Sequence, residues 1–187
     1  GWRRQKQTHR LIATVHHMDK PIIAAVNGAA SGLGCDLAFA CDFVIAGSSA
    51  SFAMAYLKRG LIPDGGGLYF LPRRVGIACA KELIFSARTV EPDEAKAIGL
   101  ADRIVDDRRL LTDAVKWAQS LCLGPASAVA LSKSIMNRSV DLSLETVFAL
   151  GSEAQSICYA SDEHHDAVTA FLCLLYTSPS PRDRVLS

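Results

Sequence analysis

The sequence predicts an α/β fold with its strands early and its helices late, and three observations carry that expectation. Pro21-Ile22-Ile23-Ala24-Ala25-Val26 is a short apolar run rich in β-branched residues, stopped by Asn27-Gly28, which reads as a buried strand. Phe43-Val44-Ile45-Ala46 and Ser51-Phe52-Ala53-Met54 repeat the pattern soon after. Beyond residue 109, apolar residues recur at helical spacing in four successive segments, and strands followed by helices mark an α/β core with a helical C-terminal region.

Taken in order, residues 1–7 are basic and polar, and 8–18 carry Leu11, Ile12 and Val15 at helical spacing. After the first strand, Ala29 to Gly34 reads as a turn of small residues and 36–41 as a short helix. Two short helices are expected at 68–74 and 79–85. A third spans 93–98, with Pro92 at its first position and Gly99 at its stop. Arg103-Ile104-Val105 reads as extended, and helices are expected at 110–123, 125–137, 142–159 and 162–172. The expected organisation is a core over 1–109, a helical region over 110–173, and a Ser/Pro tail over 174–187 that reads as non-native or disordered.

A length of 187 residues, half of them hydrophobic, is ample for one core. A net charge of +1 offers no footing for nucleic acid or an anionic membrane surface. The six cysteines show neither a paired Cys-x-x-Cys nor zinc spacing, so they read as reduced, buried thiols of an intracellular protein. No apolar run reaches membrane-span length. Ser31 lacks the Gly-x-Ser-x-Gly frame of a hydrolase elbow, because Ala29 and Leu33 stand at the glycine positions. Gly28, Gly32 and Gly34 do not fit a dinucleotide fingerprint. The His16-His17 and His164-His165 pairs project apart and read as solvated helix faces, so no metal site is expected.

Two glycine-rich turns hold the chemistry. Ser31-Gly32-Leu33-Gly34 leads into a helix, whose first N–H groups have no intrahelical partner and favour negative charge. That suits a phosphate or a developing oxyanion, although Gly32 and Gly34 also serve tight strand–helix packing. Pro63-Asp64-Gly65-Gly66-Gly67 sets an acid at the mouth of a second helix. An oxyanion site beside a carboxylate points to proton transfer next to a carbonyl.

Lys20-Pro21 through Asn27-Gly28, Gly32-Leu33-Gly34-Cys35-Asp36-Leu37-Ala38 and Ala40-Cys41-Asp42 closely resemble the crotonase (enoyl-CoA hydratase/isomerase) superfamily. The likeness continues through Gly60-Leu61-Ile62-Pro63-Asp64-Gly65-Gly66-Gly67, Leu71-Pro72-Arg73 and Gly99-Leu100, and covers about residues 8–172. It implies a ClpP/crotonase spiral of short strands and helices, acting on an acyl-CoA thioester through an enolate. Coenzyme A is then part of the substrate, with no separate cofactor, and a homotrimer or hexamer is the implied assembly. The compartment is the cytoplasm in a bacterium, otherwise the mitochondrion or peroxisome. Against that family the chain reads as lacking an N-terminal portion with one of the two oxyanion donors, and these residues alone are expected to turn over little or no substrate.

Carried over residue by residue, the resemblance puts one oxyanion N–H at Leu33, beside Gly32. The two glutamates of hydratases fall at Asp36 and Tyr56, and a phenol with an ordinary pKa near 10 is a poor general base. Asp64 matches the single acid that several isomerases carry after the proline of this turn, which makes Δ3–Δ2 enoyl-CoA isomerisation the expected activity. Its competing role is a helix N-cap, and Asp36 in a first helical turn is equally ordinary dipole chemistry. Tyr56, Leu61 and Ile62 are expected pocket residues, and Phe171 resembles the aromatic near the CoA arm, with packing as its other reading. The alternatives are a hydratase in which Asp36 and Asp64 share the water, or an acyl-CoA-binding module without catalysis.

Overall fold

The computed structural model describes residues 2–177. They fall into two units divided between Leu123 and Gly124. The first runs α1 (Trp2–His16), β1 (Ile23–Val26), β2 (Ala29–Ser31), α2 (Leu33–Ala40), β3 (Phe43–Gly47) and β4 (Ser51–Ala53). It continues with α3 (Gly67–Val75), α4 (Ile77–Ser86), β5 (Thr89–Val90), α5 (Pro92–Ile98), β6 (Arg103–Val105) and α6 (Leu110–Leu121). β1, β3 and β6 make one parallel sheet. β2, β4 and β5 make the other, β2 parallel and β5 antiparallel to β4. The chain therefore winds as a spiral, entering the first sheet, passing to the second, and returning to the first beside its own earlier strand.

β3 explains its own sequence. Val44 and Ile45 are both fully buried although successive side chains of a strand face opposite ways. Val44 joins Phe39, Phe52, Leu71, Leu83 and Leu100 in the main core. Ile45 faces a second cluster with Leu110, Ala114 and Trp117 of α6. A parallel strand covered on both faces is apolar without alternation, which is why Phe43 to Ala46 reads as an unbroken run. The same packing moves the domain boundary: α6 covers β1 and β3, so the first unit extends to Leu123 and does not stop at residue 109.

Three local expectations change. Ala29 to Ser31 is a strand, not part of a turn, since its backbone pairs with Ser51 to Ala53 while Ala30 is buried. Helix α1 begins at Trp2, six residues before its expected start, in a stretch of Arg, Gln and Lys that favour helix. Lys6 sits over the Trp2 ring one turn away, at 3.7 Å from its centroid. His16 is not a solvated residue: it packs against the rings of Tyr69 and Phe70, with centroids 6.0 and 5.1 Å away. Arg74 is structural as well, holding the Cys41 and Asp42 carbonyls and pairing with Asp102 at 3.5 Å.

The second unit holds α7 (Ala126–Ser139), α8 (Leu144–Tyr159) and α9 (Asp162–Thr177). Ser143 caps α8 by accepting from the Thr146 amide at 3.3 Å. Glu163 in the first turn of α9 accepts from the Ala126 and Ser127 amides at 3.1 Å each, which satisfies the open N-terminus of α7. Residues 174–177 continue α9, so the helix outlasts its expected end at 172. The remainder of the Ser/Pro tail lies outside the described residues. Among the described residues no helix is long and apolar enough to cross a membrane.

Candidate active site

The first glycine turn is built as a helix start. Gly32 is the N-cap of α2 at φ 54° and ψ −116°, a left-sided conformation that a side chain disfavours. Its own N–H donates to the Ala53 carbonyl of β4 at 2.9 Å, which ties the turn to the neighbouring strand. Leu33 is the first residue of α2, and its N–H belongs to the first turn, where helix geometry supplies no acceptor. Cys35 packs under the turn, donating its thiol to the Ala30 carbonyl at 3.0 Å. Burial pushes that thiol up to about 12, so it stays protonated and takes no part as a nucleophile.

Asp36 lies one turn into α2 and is fully buried. The Tyr56 hydroxyl donates to its Oδ2 at 2.5 Å. Its Oδ1 has no hydrogen bond of good geometry. Burial raises the Asp36 carboxyl from 3.8 to about 6. The Tyr56 hydrogen bond and the nearby amides of Gly65 and Gly67 oppose that rise, and the Asp64 charge adds to it. Desolvation outweighs the donors. The Tyr56 phenol moves above its ordinary 10, first through burial and then through its bond to the carboxylate.

The second turn closes over this carboxylate. A Cβ on Gly65 would stand 2.7 Å from Leu33 Cδ1 and against Asp36 Oδ2. On Gly67 it would stand 2.5 Å from Asp36 Oδ1, 2.5 Å from Met54 Cε and 2.8 Å from Pro63 Cβ. The glycines thus admit a close approach between the first glycine turn, Asp36 and the second. Gly67→Ala is expected to lower stability by about 1–3 kcal/mol, the usual cost of overpacking. A drop in the urea midpoint at unchanged slope checks it.

Asp64 is half-buried at the start of this turn, two residues before Gly66, the N-cap of α3 at φ 112°. The helix cap is therefore not Asp64, and the Asp64 side chain is not committed to that role. Its backbone N–H donates to the Ile62 carbonyl at 2.8 Å. Its carbonyl lies 2.9 Å from Nε2 of His9 on α1, a contact across 55 residues that no local pattern signals.

Of the expected site residues, Gly32, Leu33, Asp36, Tyr56 and Asp64 meet on these two turns. The Tyr56 ring lies against Gly32, 3.7 Å from where a Cβ would stand. Leu61 and Ile62 share the Asp64 loop and are exposed at 56% and 64%, so they border the site and do not line its floor. The Leu61 amide donates to the Tyr56 carbonyl at 3.1 Å. Phe171 is on α9 of the second unit, 63% exposed. The His9 ring, 2.9 Å from the Asp64 carbonyl, is the neighbour of this turn that the sequence did not signal.

Residues 3–174 match the family model described as enoyl-CoA hydratase/isomerase. A short-chain-enoyl-CoA hydratase of Clostridium acetobutylicum is 40% identical over 155 residues, covering 83% of this chain and 59% of the relative. A 1,2-epoxyphenylacetyl-CoA isomerase of Escherichia coli is 36% identical over 162 residues, covering 87% and 62%. The crystal structure of an enoyl-CoA hydratase/isomerase from Cupriavidus metallidurans CH34 superposes with a TM-score of 0.88 at 38% identity, over 92% of this chain and 65% of that one. The chain thus spans about three-fifths of the length of the curated relatives it matches.

Proposed function

The chain belongs to the enoyl-CoA hydratase/isomerase family, and from that membership we propose that the intact protein moves the double bond of a 3-enoyl-CoA to the 2-position, with Asp64 as its base. The C2–H bond breaks, its proton goes to the Asp64 carboxylate, and the electron pair passes onto the thioester oxygen. The Leu33 N–H, with a second donor, holds that oxyanion. Asp64 then returns a proton to C4, and the double bond settles between C2 and C3. Coenzyme A enters as part of the substrate, and the reaction has no step for a separate cofactor. Assembly as a trimer or hexamer belongs to the same proposal.

The observation that carries this reading is the fate of Asp36. Its carboxylate is fully buried and engaged by Tyr56, whereas Asp64 is half-buried at the turn. Isomerisation needs one base; activation of water by a pair needs two accessible carboxylates. A second reading, addition of water to a 2-enoyl-CoA, is favoured by the hydratase name of the 40% identical relative. It requires Asp36 and Asp64 to share the water.

Offering both thioesters to the intact protein in parallel separates the two. The isomerase reading expects conversion of the 3-enoyl-CoA to its conjugated isomer. Hydration of the 2-enoyl-CoA, with the 3-enoyl-CoA left untouched, would replace it.

A further inference from the structure

The site contains a buried ionisable pair for which the proposed reaction has no step. Asp36 has no exposed surface, and its one hydrogen bond of good geometry comes from the Tyr56 hydroxyl at 2.5 Å. A carboxylate held this way does not reach a substrate. It does reach the acid turn: its two oxygens lie against Gly65 and Gly67, on either side of Gly66 and directly after Asp64. Tyr56 in turn is fixed at both ends, by its hydroxyl on Asp36 and by its carbonyl, which accepts from Arg59 at 2.9 Å and Leu61 at 3.1 Å. A chain of contacts therefore runs from the segment before the turn, through Tyr56 and Asp36, to the backbone that follows Asp64.

We propose that Tyr56 and Asp36 act as a positioning couple, in which the Tyr56 hydroxyl holds the buried Asp36 carboxylate against Gly65 and Gly67 and so sets where Asp64 stands. The inference rests on the reading of Asp64 as the base. It gives Asp36 no proton transfer with substrate and gives Tyr56 no contact with the reacting atoms. The placement of the carboxylate fits this role, because its Oδ2 lies against Gly65 and its Oδ1 against Gly67, so that moving it moves the turn.

The experiment uses the intact protein with Tyr56→Phe, Asp36→Asn, Asp36→Ala and Asp64→Asn. Tyr56→Phe keeps the ring and removes only the hydroxyl, so a shift of the Gly65 and Gly67 amide resonances reports the lost support. With 3-enoyl-CoA it is expected to lower kcat about tenfold with KM within about twofold, the pattern of a misplaced group. Asp36→Asn keeps an oxygen for the hydroxyl and is expected to retain kcat to within about tenfold, while Asp36→Ala loses at least a further tenfold. Unmoved Gly65 and Gly67 resonances in Tyr56→Phe would overturn the couple. So would Asp36→Asn as inactive as Asp64→Asn, which would make Asp36 a proton carrier. If the wild type isomerises nothing, the Asp64 reading falls by itself, and the resonances still decide whether the couple supports the turn.

Discussion

Asp64→Asn is expected to lower kcat for isomerisation of 3-enoyl-CoA by about 10²–10⁴-fold, the usual worth of a positioned general base. The substitution preserves size and the backbone, so the bond from Asp64 N–H to Ile62 and the contact of its carbonyl with His9 survive. What is removed is the capacity to accept the C2 proton and deliver one to C4. KM is expected to change little, because Asp64 acts on the migrating proton and not in ground-state binding. Retention of more than a tenth of the wild-type kcat would assign the proton to another group.

The second large effect is on stability as a function of pH. Asp36 ionises at about 6 in the folded protein against an ordinary 3.8, so between those values the folded state holds a proton that the unfolded chain has lost. Its contribution is therefore full below about 4 and disappears as pH rises through about 6. At about 1.4 kcal/mol per pH unit, the full swing is on the order of 3 kcal/mol. The ionisable groups facing Asp36 are Tyr56, Asp64 and Cys35. The Cys35 thiol and the Tyr56 phenol stay protonated across this window. Asp36→Asn removes the swing, so the variant gains on wild type between pH 4 and pH 8. Urea unfolding at the two pH values reads this directly, and a difference between the proteins that does not vary with pH would contradict it.

How much of this was legible differs by level. The spiral core was readable because β3 is buried on both faces and so announces itself as an apolar run, and because Pro92 and Gly99 bound α5 where expected. β2 was not, since Ala29-Ala30-Ser31 has no β-branched residue and is a strand only through its partner β4. The boundary at Leu123 escaped for a similar reason: a helix pattern in α6 does not say which sheet the helix covers. At the site, Asp36 and Tyr56 could be matched to two positions of the family's pair, but their direct bond is a tertiary fact. The His9 contact with Asp64 spans 55 residues and has no sequence signature at all.

The most direct measurement is the fate of solvent oxygen. Purified intact protein would be given 3-enoyl-CoA in water enriched in heavy oxygen, and the product weighed by mass spectrometry. Transfer of one proton by Asp64 predicts a 2-enoyl-CoA of the same mass as the substrate. Unreacted 3-enoyl-CoA, with 2-enoyl-CoA in a parallel sample becoming a 3-hydroxyacyl-CoA that carries the heavy oxygen, would contradict the account, and would make water, activated by the carboxylates, the reactant this site was built to place.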